Sequence, residues 1–170
     1  MFRKFEWRVP LVLWIQAVAS GLLCACGTGQ SPVATPSDAM LLEEFRSHRS
    51  ELERLRQMMT EDMRQRGALS EADLSSVSPE SRRSEYRNLL SIAPNLVVGV
   101  DYNGTTRFIF GRSEGMAIGP GWAKGIEFVP EGARMIGTRV ATLDESAKLS
   151  EGVYLREIEP QWFIFYQRDE

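Results

Sequence analysis

The chain has 170 residues, 43% of them hydrophobic and 25% charged, with a formal net charge of −3. That charge is uneven: Arg3, Lys4 and Arg8 against Glu6 give residues 1–25 a net +2, so the remainder carries −5. An acidic body excludes the electrostatic footprint of a nucleic-acid binder and the polybasic adhesion of proteins that read acidic lipid headgroups.

The basic start leads into Val9–Ala25, which holds no charge. A short basic region, an apolar segment and a small residue before a cut are the parts of a secretory signal. A spanning helix needs about 20 apolar residues. This run has 17, interrupted by Pro10 and Gln16. Its end, Leu23-Cys24-Ala25-Cys26, resembles the lipobox of bacterial lipoproteins, where a Leu, two small residues and a Cys mark lipid attachment and signal removal. The resemblance implies cleavage between Ala25 and Cys26 and acylation, such as palmitoylation, of Cys26. Cys24 fits less well, because Leu23 would then fill the small-residue slot. With Cys24 lost and Cys26 acylated, no free thiol remains. His48 is the only histidine, so a His/Cys zinc site cannot be assembled and no cofactor or metal is expected. A Ser-His-Asp triad would need His48 itself.

Gly27–Ser37 is rich in Gly, Ser, Thr and Pro and has no charge, a flexible tether reaching at most ~35–40 Å. The expected organisation is a signal peptide (1–25), a lipidated Cys with linker (26–37) and a single α+β domain (38–170). In the lipoproteins this resembles, an Asp after the lipidated Cys often signals inner-membrane retention. Gly27 stands there instead, which implies the outer membrane.

The spacing then predicts a long amphipathic helix over 38–66. Ser37 caps it, and Leu41, Phe45, His48, Leu52, Leu55 and Met59 form one stripe, continued one position off by Met63. Arg49–Glu53 and Asp62–Arg66 pair at i,i+4 on its outer face. Arg64, Arg66 and Gly67 mark its stop. A continuous rod of roughly 43 Å exceeds what a small domain needs, so it lies along a sheet, projects as a stalk or self-associates with another copy. His48 on this stripe reads as a packed histidine. Gly67–Val77 is a connector with a turn of helix near Ser70–Leu74. A second helix over 79–93 starts at Ser78-Pro79-Glu80 and stops at Pro94.

The sheet spans 96–167. Leu96–Tyr102 and Thr105–Gly111 flank Asn103-Gly104, a strong hairpin signal. Gly115–Gly119 and Lys124–Val129 flank Gly119-Pro120-Gly121. Gly152–Ile158 and Trp162–Gln167 flank Glu159-Pro160-Gln161. Between them, Arg134–Leu143 reads as a weak edge strand or a short helix. Helices followed by five or six strands in antiparallel meander order give a segregated α+β fold.

Three stretches carry a further resemblance: Ser78-Pro79-Glu80 with Glu85–Leu90; Gly115 to Trp122-Ala123-Lys124-Gly125; and Tyr154–Glu159 with Trp162–Tyr166. They resemble a group of small proteobacterial proteins, several of them lipoproteins, with no activity attached to the group. Ala123 and Ile126 stand where that group has a Ser and a Tyr.

The clustered glycines from Gly111 to Gly125 lie between strands, not between a strand and a helix, so they do not make a dinucleotide loop. Glu157 and Glu159, two apart on a strand, invite a glycan-acting hydrolase reading. In the last hairpin, a two-residue Pro160-Gln161 turn pairs Glu159 with Trp162, Ile158 with Phe163, Glu157 with Ile164, Arg156 with Phe165 and Leu155 with Tyr166. Each face then carries one charge among aromatics. Arg156 and Glu157 accordingly either find partners (Lys124, Arg107 or backbone groups) or grip something. Arg156, Glu157, Glu159, Trp162, Tyr166, Trp122 and Lys124 are the candidate interaction surface. The functional expectation is a non-catalytic, membrane-anchored envelope lipoprotein facing the periplasm or cell surface, with an envelope protein as partner. A periplasmic ligand-binding or inhibitor domain is the alternative.

Overall fold

The computed structural model describes residues 35–62, 67–101, 103–113 and 121–169, all within one unit, Val33–Glu170. The signal peptide, Cys24, Cys26, most of the tether, Met63, Arg64, Arg66, Tyr102 and the expected strand Gly115–Gly119 lie outside the described residues.

Ser37 caps α1 (Asp38–Ser47) as its composition predicts, its hydroxyl accepting the Met40 N–H at 3.1 Å. The expected single rod is instead two helices. His48, at φ −122° and ψ 25°, separates α1 from α2 (Arg49–Asp62). The bend leaves the local hydrogen bonds in place: His48 N–H donates to Glu44 O at 3.0 Å and Leu52 N–H to His48 O at 2.9 Å. It exists because the target surface is curved. α1 lies on the strands bearing Lys124 and Tyr166, whereas α2 reaches the strand bearing Val98 and the helix bearing Tyr86, and a straight rod cannot follow a twisted sheet that far. Leu41, Phe45, Leu52, Leu55 and Met59 are buried as the stripe predicts, with Met58 added. His48 is half-buried between Glu44 (3.8 Å) and Glu51 (3.9 Å).

After α2 come β1 (Gly67–Leu69), a 3-10 turn (Glu71–Ser76) and α3 (Glu80–Leu90). The strands β2 (Val97–Val100), β3 (Thr106–Arg112), β4 (Gly121–Phe128), β5 (Thr138–Arg139), β6 (Gly152–Glu159) and β7 (Trp162–Asp169) follow. The fold is α+β, but the sheet is not a five- or six-stranded antiparallel meander. It has seven strands in the order β1-β2-β3-β4-β7-β6-β5, and β5 pairs in parallel with β6. Part of the presumed connector is β1, antiparallel to β2. The meander breaks after β4 because β7, buried without interruption from Trp162 to Tyr166, takes the interior place beside β4. β6 is left outside it. A strand apolar on both faces is stable only where both faces are covered.

Trp162 centres the main core. Its ring lies 5.2 Å from Phe45, 6.0 Å from Phe108 and 5.1 Å from Phe128, with the Arg49 guanidinium 4.4 Å above it. Tyr86 fastens α3 to α2, donating to Asp62 at 2.8 Å.

The register of the last hairpin differs from expectation beyond its first pair. Glu159 opposes Trp162, but then Glu157 opposes Phe163, Arg156 opposes Ile164, Leu155 opposes Phe165 and Tyr154 opposes Tyr166. Pro160 followed by Gln161 at φ 72° is the residue pattern of a type II turn. Such a turn splays two strands unless the ladder adjusts, and here an extra residue, Ile158, is bulged out. One bulge moves every later side chain to the other partner set.

Candidate functional site

Two polar clusters sit on opposite faces of this sheet. On the helix face, the carboxylate of Asp38, in the first turn of α1, is 1% exposed and is held from both sides of β7. Lys124 Nζ from β4 lies 2.8 Å from Oδ1, and Arg156 Nη1 from β6 donates to Oδ2 at 2.7 Å. Leu143 N–H and Thr142 Oγ1 also donate to Oδ2, at 2.8 and 3.2 Å. Asp38 N–H in turn donates to Asp144 Oδ1 at 2.6 Å, and Lys124 Nζ to Leu143 O at 3.0 Å. Burial pushes the Asp38 carboxyl up, but the bonds from Lys124, Leu143 N–H and Arg156 together outweigh it and hold the group below the ordinary range. Just upstream, Pro36 closes over Gly111: a Cβ there would stand 2.6 Å from the Pro36 ring and 3.3 Å from Trp122. The chain entering α1 is therefore fastened to the sheet by packing and by a buried ion triad.

These contacts relocate the residues expected to form a surface. Lys124 (1%), Trp162 (1%) and Tyr166 (3%) are interior and cannot grip a partner. Arg156 has a structural partner, though Asp38 and not the groups considered from sequence. Trp122 is half-buried against the cluster of Leu41, Leu143, Ile164 and Tyr166. Glu157 and Glu159 keep exposed side chains but do not form a carboxylate pair. The bulge sends Glu157 to Arg139 (3.3 Å), beside Phe163, and Glu159 to Arg49 of α2 (2.9 Å), on the other side of the sheet.

On the face away from the helices, the register lines up Ala68, Gly99, Arg107, Glu127 and Phe163 in one cross-strand row. Glu127 is 2% exposed and ion-paired to Arg107 Nε. Arg107 Nη1 donates to Gln167 Oε1 at 2.9 Å, and its guanidinium lies 5.3 Å over the Phe165 ring. Burial pushes the Glu127 carboxyl up, Arg107 opposes that incompletely, and Asp101 adds to it. Beside this pair the side-chain layer of the described residues stops. An open concavity of about 440 Å³ lies over Gly99, bordered by Ala68, Ile109 and Arg107 and by Asp101 and Thr105 of the β2–β3 loop. Its volume falls within the range of small-ligand sites. A second cavity, about 460 Å³, lies between the 3-10 turn, the C-terminal end of α3 and the start of β2.

Sequence reasoning missed Asp38, Glu127, Asp101 and Gly99. The alternation of Arg107 with Thr105 and Ile109 was a usable signal that these three share a face. No protein-family model, curated protein or solved structure matches the chain.

Proposed function

We propose that this protein is a lipid-anchored component of a bacterial cell envelope, attached through Cys26, whose domain acts by binding and not by chemistry. The Leu23–Cys26 spacing behind a basic, then apolar, start supports the anchor. The observation that carries the binding role is the cavity over Gly99, with Arg107 and Asp101 on its border. Of the two non-catalytic readings, a protein partner drew on an aromatic hairpin whose Trp162 and Tyr166 are interior. The cavity therefore favours the ligand-binding reading.

Two measurements test this. Cys26→Ser should abolish palmitate labelling and leave the protein unprocessed or released from membranes. A mutant processed and retained like wild type would remove the anchor, and the intact mass of the mature N-terminus separates Cys26 from Cys24. For the cavity, native mass spectrometry of the full chain, extracted from envelopes in mild detergent, should show a bound small molecule. Gly99→Val should lose that molecule while keeping its melting temperature.

A further inference from the structure

Among the described residues, nothing around Gly99 requires it to be glycine. Gly125 must be one, since a Cβ there would lie 1.9 Å from Phe108 O, and Gly111 must accommodate Pro36. At Gly99 a Cβ would meet only Gly67 O, at 3.8 Å, an ordinary contact. The residue lies within β2, where glycine gives up both chain entropy and side-chain packing. With no bulge at this position in the β1–β2 or β2–β3 ladder, the remaining use of a strand glycine is to let another group approach the backbone closely.

The border of the cavity says what that is. Arg107 uses Nε on Glu127 and Nη1 on Gln167. Its remaining N–H groups have no hydrogen-bond partner among the described residues. Asp101 uses Oδ1 to accept Asn103 N–H at 3.1 Å and Thr105 N–H at 3.0 Å, and its Oδ2 has no such partner. A plain anion drawn to Arg107 would meet the carboxylates of Asp101 and Glu127. A plain cation drawn to Asp101 would meet Arg107. A molecule bearing both charges satisfies each end, and Ala68 and Ile109 offer apolar contact to its body.

We propose that the cavity over Gly99 binds a small zwitterion of the free α-amino acid type with an aliphatic side chain, its carboxylate on Arg107 and its ammonium on Asp101. This rests on the ligand-binding reading above and specifies its ligand class. A guanidinium suits a carboxylate because its planar N–H groups match the two oxygens.

The test is calorimetric titration of the full lipidated chain in detergent with L-leucine, 4-methylpentanoate, which lacks the ammonium, and 3-methylbutylamine, which lacks the carboxylate. Leucine should bind, and each analogue should bind at least about tenfold more weakly, the loss expected when one charged hydrogen bond is removed. Asp101→Asn keeps the turn acceptor, so it should weaken leucine about tenfold and leave 4-methylpentanoate no weaker than before. Gly99→Val should abolish leucine binding without lowering the melting temperature, because valine is the better strand former. No leucine binding at concentrations up to about 10 mM, where even a millimolar site would fill, overturns the proposal. So does 4-methylpentanoate binding as tightly as leucine. If leucine does not bind, a co-purified molecule lost in Gly99→Val would leave the ligand-binding reading standing, and its absence would end both; if 4-methylpentanoate binds as tightly, only the zwitterion falls.

Discussion

Asp38→Asn is the sharpest perturbation of this fold, because it keeps the side chain's shape and removes only its charge. Lys124, 1% exposed, then loses the carboxylate 2.8 Å away, and the next one, Asp144, stands at 4.0 Å and is 52% exposed. At an effective dielectric constant of about 20, a pair at that distance is worth roughly 6 kcal/mol before desolvation is counted. We therefore expect Asp38→Asn to destabilise by about 3–5 kcal/mol, a large share of the roughly 5–15 kcal/mol typical of a domain. Removing both partners, in Asp38→Asn with Lys124→Met, should recover about 2 kcal/mol or more of the summed single losses. The assay is urea unfolding of residues 33–170 at pH 7, read from Trp122 and Trp162, the only tryptophans in that span. Single losses that add to within about 0.5 kcal/mol would show that the two groups are not coupled, and the clamp argument would fail.

Other outcomes follow from the same contacts. Because the Asp38 carboxyl is held below its ordinary value of 3.8, its contribution is full above that pH and is lost as pH falls through the lower folded value. Wild type should therefore lose more stability there than Asp38→Asn, as denaturation midpoints across about pH 2.5–6 would reveal. Glu127 runs the opposite way: its carboxyl is raised above 4.5, so its ionised form costs stability increasingly as pH climbs through the folded value. Glu127→Gln should gain on wild type from acid to neutral pH, and a gain that instead shrinks with pH would contradict the burial argument. Trp162→Ala should cost about 3–5 kcal/mol by calorimetry, since it empties the centre of the main core. Limited proteolysis of the soluble chain should cut first between residues 27 and 35, ahead of Pro36, and cleavage within β2 or β3 before that would mean the hairpin is not part of the core.

What could be read from the residues was whatever depends on local spacing. The 3–4 stripe found the buried positions Leu41, Phe45, Leu52, Leu55 and Met59, Ser37 found its cap, and Asn103-Gly104 found the β2–β3 hairpin. What could not be read depends on partners far apart in the chain. Asp38 meets Arg156 across 118 positions, and nothing near Asp38 announces it. The place of β7 inside β6 is settled by competition for cover, and that competition is invisible in either strand alone. The hairpin register failed at a single residue, Ile158, because a turn's hand is set by backbone angles that Pro160-Gln161 only suggests. The candidate surface failed for a related reason: aromatics and charges at alternate positions look alike whether a helix covers them or water does.

The two faces of the sheet explain why the bare patch sits where it does. On the helix side α1, α2 and α3 cover the sheet, and the Asp38 clamp secures the end nearest the tether. On the other side, Val129, Ala133 and Met135 fold back over Leu155, Phe163 and Phe165, so the β4-β7-β6 half is covered by its own connecting chain. Among the described residues no such excursion covers β1 to β3, where β1 is an edge strand. A bare half-sheet would ordinarily carry polar strand formers such as Thr, which keep the ladder stable and shield it from other edges. Here the row starts instead with Ala68 and Gly99 and rises abruptly to Arg107. The proposed ligand site accounts for this row: a surface that admits a ligand to the backbone must give up its side chains there, and Arg107 beside it has N–H groups without a hydrogen-bond partner among the described residues.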